Sequence, residues 1–112
     1  MRTRRLYNCQ AGCPVENTLQ FIAGKWKSVI LYHLLKNKVL RFNELESKIS
    51  GCSKRMLALQ LKELEADHII HKTIYPVIPP KTEYQLTDLG QTLEPVIMAM
   101  EKWGESYRGN NL

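Results

Sequence analysis

At 112 residues the chain is long enough for one domain with a core of its own and too short for two. A hydrophobic fraction of 44% and a charged fraction of 24% are those of a folded globular protein and exclude wholesale disorder. The formal net charge of +5 favours a polyanionic partner, either nucleic acid or an acidic membrane surface.

The opening stretch, MRTRRLYNCQAGC, carries arginines with no apolar run behind them, so no secretory signal is expected. No window approaches the roughly 18 apolar residues that cross a bilayer, and no membrane partner is expected. Three cysteines, an odd number, do not suggest a secreted disulfide framework. The expected location is the cytoplasm, with the thiols reduced. Residues 1–12 read as a basic arm and residues 13–109 as a single domain without repeats or linkers.

Pro14 suits the first position of a helix, and Val15, Leu19 and Ile22 follow at helical spacing. Gly24 closes this helix, and a second begins in KWKSVILYHLLKN with Trp26, Ile30 and Leu34 on one face. Both read as core helices. Phe42, Leu45 and Ile49 predict a short amphipathic helix with Asn43 as its N-cap. After the tight turn SGC, Ser53 caps a longer helix over about residues 53–66, whose inward stripe is Leu57, Leu61 and Leu64. Two helices joined by so short a turn fit a helix-turn-helix.

The strand-like runs IIHKTIY and TEYQL come next, joined by a loop with three prolines and Lys81. Proline has no N–H for a strand ladder, so the prolines stiffen the tip of a hairpin instead. A hairpin placed directly after a helix-turn-helix, here about residues 69–87, is a wing. The last helix, about residues 87–107, starts at the cap Thr87 and carries Leu89, Leu93, Val96, Met100, Trp103 and Tyr107 at steps of three and four. It is expected to bend near Pro95. Its apolar load exceeds what a small monomer can bury and predicts a partner surface, most simply a symmetric homodimer. The fold class is mainly α with a small β-hairpin (α+β), a winged helix-turn-helix that dimerises through its N- and C-terminal helices.

On a helical wheel the inward leucines put Arg55, Ala58, Leu59 and Lys62 on the far side, the side a recognition helix presents to the major groove. Arg55 can fork onto guanine, and Leu59 or Ala58 can meet a thymine methyl. Ser53 and Lys54 lie at the same end. Taken alone, Lys54, Arg55 and Lys62 are equally a solvated basic face; the adjoining wing favours double-stranded DNA. Lys72 and Lys81 are candidates for phosphate contact, with Lys25, Lys27 and the N-terminal arginines weaker ones. Few aromatic residues and no stacking platform make single-stranded RNA a poor second choice.

An enzyme finds little support: there is no P-loop, dinucleotide fingerprint or nucleophile elbow. His33 reads as packed in a core helix, and His68 and His71 as strand-edge residues. Cys9, Cys13 and Cys52 with a histidine make only a weak metal signal, because C-x-x-x-C lacks a second pair. No metal and no cofactor are assigned.

The segments CPVENTL, GKWKSVIL, RFNEL, SKRMLALQLKELE, IPPKTEYQLTDLG and the final EKW stand in an order that resembles the HxlR-type winged-helix transcriptional regulators, relatives of the MarR group. The likeness runs over residues 13–103. It implies a homodimer built from the terminal helices and bound to inverted-repeat operators. It also implies sensing of oxidants or electrophiles through the cysteine that matches Cys13. Departures from the pattern are His68 in place of glycine, Thr82 in place of valine, and the added Cys9. With Pro14 at the first helical position, Cys13 is the expected N-cap, where backbone N–H groups and the positive end of the helix favour thiolate, with Arg4 and Arg5 near in sequence. Cys9, or a cysteine of the other subunit, would resolve a sulfenic acid there. Cys52, just before Ser53, could disturb the recognition helix, though a small apolar turn residue is its plainer role. The bland alternative makes Cys13 a small buried residue. The function read here is a sequence-specific DNA-binding regulator. A ligand-gated regulator with incidental thiols, a non-specific basic DNA-binding protein and a small redox protein are the alternatives.

Overall fold

The computed structural model describes residues 13–109. Helix α1 (Pro14–Ile22) begins behind Cys13 at its N-cap, with the Glu16 carboxylate accepting the Cys13 backbone N–H at 3.1 Å. It stops at Ala23, and Gly24, at φ 104°, turns the chain through the left-handed region that glycine enters without strain. Helix α2 (Lys27–Asn37) follows and places Ile30, Leu31 and Leu34 in the core. The expected pair of core helices is only half realised. In α1 just Ile22 is buried, while Val15 and Leu19 are 65% and 47% exposed.

A strand that the sequence does not announce comes next, β1 (Leu40–Arg41), and the chain passes straight from it into α3 (Phe42–Lys48). The N-cap is therefore Arg41 and not Asn43: the extended backbone ends at Arg41, and the Glu44 carboxylate accepts its N–H at 2.8 Å. Leu45 and Ile49 are buried, and Gly51, at φ 83°, makes the turn into α4 (Lys54–Ala66). Ser53 caps α4 as its position implies, its hydroxyl accepting the Met56 N–H at 3.1 Å. Leu57, Leu61 and Leu64 are at most 1% exposed, so truncating any of them to alanine should cost about 2–5 kcal/mol.

His68 links α4 to the sheet at φ 61°, a left-handed turn conformation, so it is not a strand-edge residue. Glycine is the residue that adopts such a conformation without strain. β2 (Ile70–Tyr75) and β3 (Lys81–Leu86) pair antiparallel from Ile70 opposite Leu86 to Tyr75 opposite Lys81. β1 joins the other edge of β3, with Leu40 opposite Tyr84 and Arg41 opposite Glu83, to give the order β1-β3-β2.

The C-terminal segment corrects the expectation of one bent helix. Thr87 caps α5 (Asp88–Gln91), accepting the Gly90 N–H at 3.0 Å. The Thr92 and Leu93 N–H groups then bond back to Leu89 and Gly90, and a separate helix α6 (Glu94–Gly109) starts. Pro95 lies in the first turn of α6, where its missing N–H has no partner to lose, so it begins a helix instead of bending one. Gly90 lets α5 lie close against the chain at Ile69: a Cβ there would fall 2.1 Å from the Ile69 carbonyl oxygen. Ile97 of α6 completes the core built by α2, α3, α4 and the sheet. Among the described residues, no helix is long and apolar enough to cross a membrane.

Candidate nucleic-acid interface

Helix α4 has one face sealed and one open. Opposite its buried leucines, Lys54, Arg55, Ala58 and Lys62 are exposed, and Leu59 is 47% exposed despite being apolar. Burial of the leucine stripe fixes which way these side chains point, since residues three and four apart share a face. From behind, Lys27 reaches α4, its ammonium 2.6 Å from the Glu63 carboxylate. Lys27 is only 5% exposed, so this structural ion pair removes it from the phosphate candidates. Lys25 stays exposed, its ammonium 4.7 Å above the Trp26 ring.

The two wing lysines stand in different places. Lys72 pairs across β2 and β3 with Tyr84 and lines a groove of about 230 Å³ with Ala58, Lys62, Glu65 and Tyr84, between α4 and the sheet. Lys81 lies at the far end of β3 and lines a second hollow of about 440 Å³ with Arg41, Asn43 and the tip residues Val77 to Pro80. Ile78 at that tip is fully exposed. Arg41 and Tyr84 were not singled out from the sequence. Their positions depend on the pairing of β1 and β2 with β3, and no local pattern carries that register; Arg41 also reaches Glu83 at 3.9 Å.

Helix α6 leaves Val96, Met100, Trp103 and Tyr107 exposed, with the Trp103 and Tyr107 rings stacked 5.4 Å apart. Leu93 differs from these four, being partly buried against the core. The Tyr32 hydroxyl donates to Glu101 at 2.6 Å and Lys36 lies 3.7 Å from the same carboxylate, so α2 holds α6 in place. That hydrogen bond, followed by burial, holds the Tyr32 phenol above its ordinary range. Val15, Leu19 and Leu89 are further exposed apolar side chains.

Cys13 is exposed at the start of α1, which rules out the small buried residue of the bland reading. Cys52 is half-buried in the helix-turn-helix turn; burial pushes its thiol up, against a smaller opposite pull from Lys25. Cys9, Arg4 and Arg5 lie outside the described residues. His33 is half-buried with its ring 5.3 Å from that of Tyr32; burial first, then Lys48, lowers its pKa. Among the described residues, no group of three or more histidine, cysteine or acidic side chains is placed to hold a metal ion.

Two helices about a tight turn, an open basic face on the second and a three-stranded wing beside it define a winged helix-turn-helix transcriptional regulator. The chain belongs to the HxlR-like helix-turn-helix family, whose model matches residues 21–111. It is 47% identical over 116 residues to the HTH-type transcriptional regulator YybR of Bacillus subtilis (strain 168), covering 97% of this chain and 92% of the relative. A second regulator of that organism, YdeP, is 55% identical over 97 residues, covering 87% and 75%. Among solved structures, the redox regulator HypR in its reduced form superposes with a TM-score of 0.81 at 50% identity, over 86% of this chain and 94% of the other. In its oxidized form HypR gives 0.80 and 51%, over 84% and 96%. Family and relatives are regulators and not enzymes.

Proposed function

We propose that this regulator reads double-stranded DNA by sequence, as a homodimer on an inverted-repeat operator. The observation that carries the reading is the two-faced α4, with Arg55, Ala58, Leu59 and Lys62 open opposite a sealed leucine stripe and the wing alongside. In the major groove Arg55 forks onto guanine and Leu59 or Ala58 meets a thymine methyl. Ser53, Lys54, Lys62, Lys72 and Lys81 contact the backbone and set affinity without choosing sequence. Residues 13–109 act as one DNA-binding unit, and residues 1–12 as a basic arm. Val96, Met100, Trp103 and Tyr107, continued by Leu93 and by Val15 and Leu19 of α1, supply the apolar surface that self-association covers. Two-fold symmetry then sets the α4 helices about 34 Å apart, one turn of DNA. Selection from a random duplex library tests this: enrichment of an inverted repeat supports it, and recovery of no preferred sequence contradicts it.

A second reading, thiol sensing through Cys13, is favoured by the exposure of that thiol at a helix start and by the likeness to the redox regulator HypR. Hydrogen peroxide would oxidise the Cys13 sulfur to sulfenic acid, its O–O bond breaking with release of water. The Cys9 thiol, or one from the second subunit, would then condense with it to a disulfide and water. A change at α1 beside the dimer surface would alter the spacing of the two reading heads. Operator titrations with diamide separate the outcomes. Loss of the response in Cys13→Ser supports sensing, and an identical response in parent and variant contradicts it.

A further inference from the structure

We infer that Tyr84, together with Lys62 and Lys72, forms a seat for one backbone phosphate of DNA between α4 and the wing; the inference rests on the DNA-binding reading above. Tyr84 is 7% exposed, and among the described residues its hydroxyl has no hydrogen-bond partner although it lines an open groove. A polar group on so buried a side chain, without a protein partner, is completed by whatever enters the groove, either water or a ligand. The register puts Lys72 directly across from Tyr84, so both side chains leave the same face of the sheet, and α4 closes the groove with Ala58, Lys62 and Glu65. Ala58, with a single methyl, leaves the mouth open.

The charges suit a phosphodiester. Two ammonium groups and the Glu65 carboxylate leave one net positive charge to meet one negative linkage. Burial, then the Glu65 charge, keeps the Tyr84 phenol protonated, so it can only help an anion by donating its O–H. With α4 in the major groove and the wing beside it, the sugar–phosphate strand that borders the groove runs between them. A free phosphorylated small molecule shares this chemistry, and the experiment distinguishes the two sources.

The operator selected by the parent protein is synthesised with single neutral methylphosphonate linkages at successive positions and titrated at fixed salt with parent and Tyr84→Phe. The substitution should lose on the order of tenfold in affinity on cognate and random duplexes alike, with the salt slope unchanged. Lys72→Ala should instead flatten that slope by about one. The Tyr84→Phe loss should vanish when one particular linkage in each half-site is neutral. If Tyr84→Phe equals the parent on every duplex, the seat is wrong while the DNA-binding reading stands; if the parent binds no duplex, both fall. Saturable binding of inorganic phosphate that is lost in Tyr84→Phe, without any effect on DNA, overturns the assignment to DNA. If Tyr84→Phe does not fold, Lys62→Ala takes its place in the scan, and a loss independent of which linkage is neutral overturns the seat.

Discussion

The Lys27 ammonium, on a side chain only 6% exposed, lies 2.6 Å from the Glu63 carboxylate and ties the first turn of α2 to the back of α4. Removing the carboxylate strands a buried charge, whereas removing the lysine charge also removes the need for a partner. Glu63→Ala should therefore destabilise by about 2–3 kcal/mol, less than for a fully enclosed pair because Glu63 is 32% exposed. Lys27→Met should stay within about 1 kcal/mol of the parent. Urea denaturation of both variants checks this, and equal losses would contradict it.

His68 holds φ 61°, a conformation that disfavours every side chain with a Cβ. His68→Gly should raise stability by about 1 kcal/mol, since relief of that strain outweighs the extra chain entropy of glycine. The denaturation midpoint reports the gain directly. A fall in midpoint would mean the imidazole itself supports the turn.

Helix α2 carries a histidine whose pKa burial lowers. Its neutral form is thus favoured on folding, and the stability this brings is complete above the unfolded value of about 6.5 and lost as pH falls through the lower folded value. Below about pH 6.5 the parent should lose stability more steeply than His33→Gln. Thermal melts across that range test the difference, and parallel curves would contradict it.

Trp103 is 67% exposed and lies outside the buried core cluster. Trp103→Glu should leave the monomer fold intact and abolish the proposed self-association, which circular dichroism and sedimentation velocity read separately. A variant that sediments as the parent does would remove α6 from the interface. Substitution is cleaner than truncation here, because cutting the chain after Pro95 would also remove Ile97, which is 2% exposed.

Helix α4 was legible because its signals are local: a serine cap, then leucines on one face. The hairpin was legible from β-branched runs around prolines. β1 was not, since two residues become a strand only by pairing with Tyr84 and Glu83 far along the chain. Pro95 supports either a bend or a new first turn, and the bonding of the Thr92 and Leu93 N–H groups back to Leu89 and Gly90 decides for the latter. Lys27 looked like any surface cation because its partner Glu63 is 36 residues away. Val15 and Leu19 carry the pattern of a core helix while the single chain leaves them open. Periodicity marks an apolar face without saying which surface covers it.

The outward face of α4 carries the proposed reading of DNA, and Arg55 is its sharpest element. Titrating the selected operator and a random duplex at one salt concentration with parent, Arg55→Ala and Lys81→Ala tests it most directly. Arg55→Ala should lose about 1–3 kcal/mol on the operator and relax choice at one base position. Lys81→Ala should weaken both duplexes alike and flatten the salt slope by about one. Unchanged operator affinity in Arg55→Ala would contradict the assigned reading face.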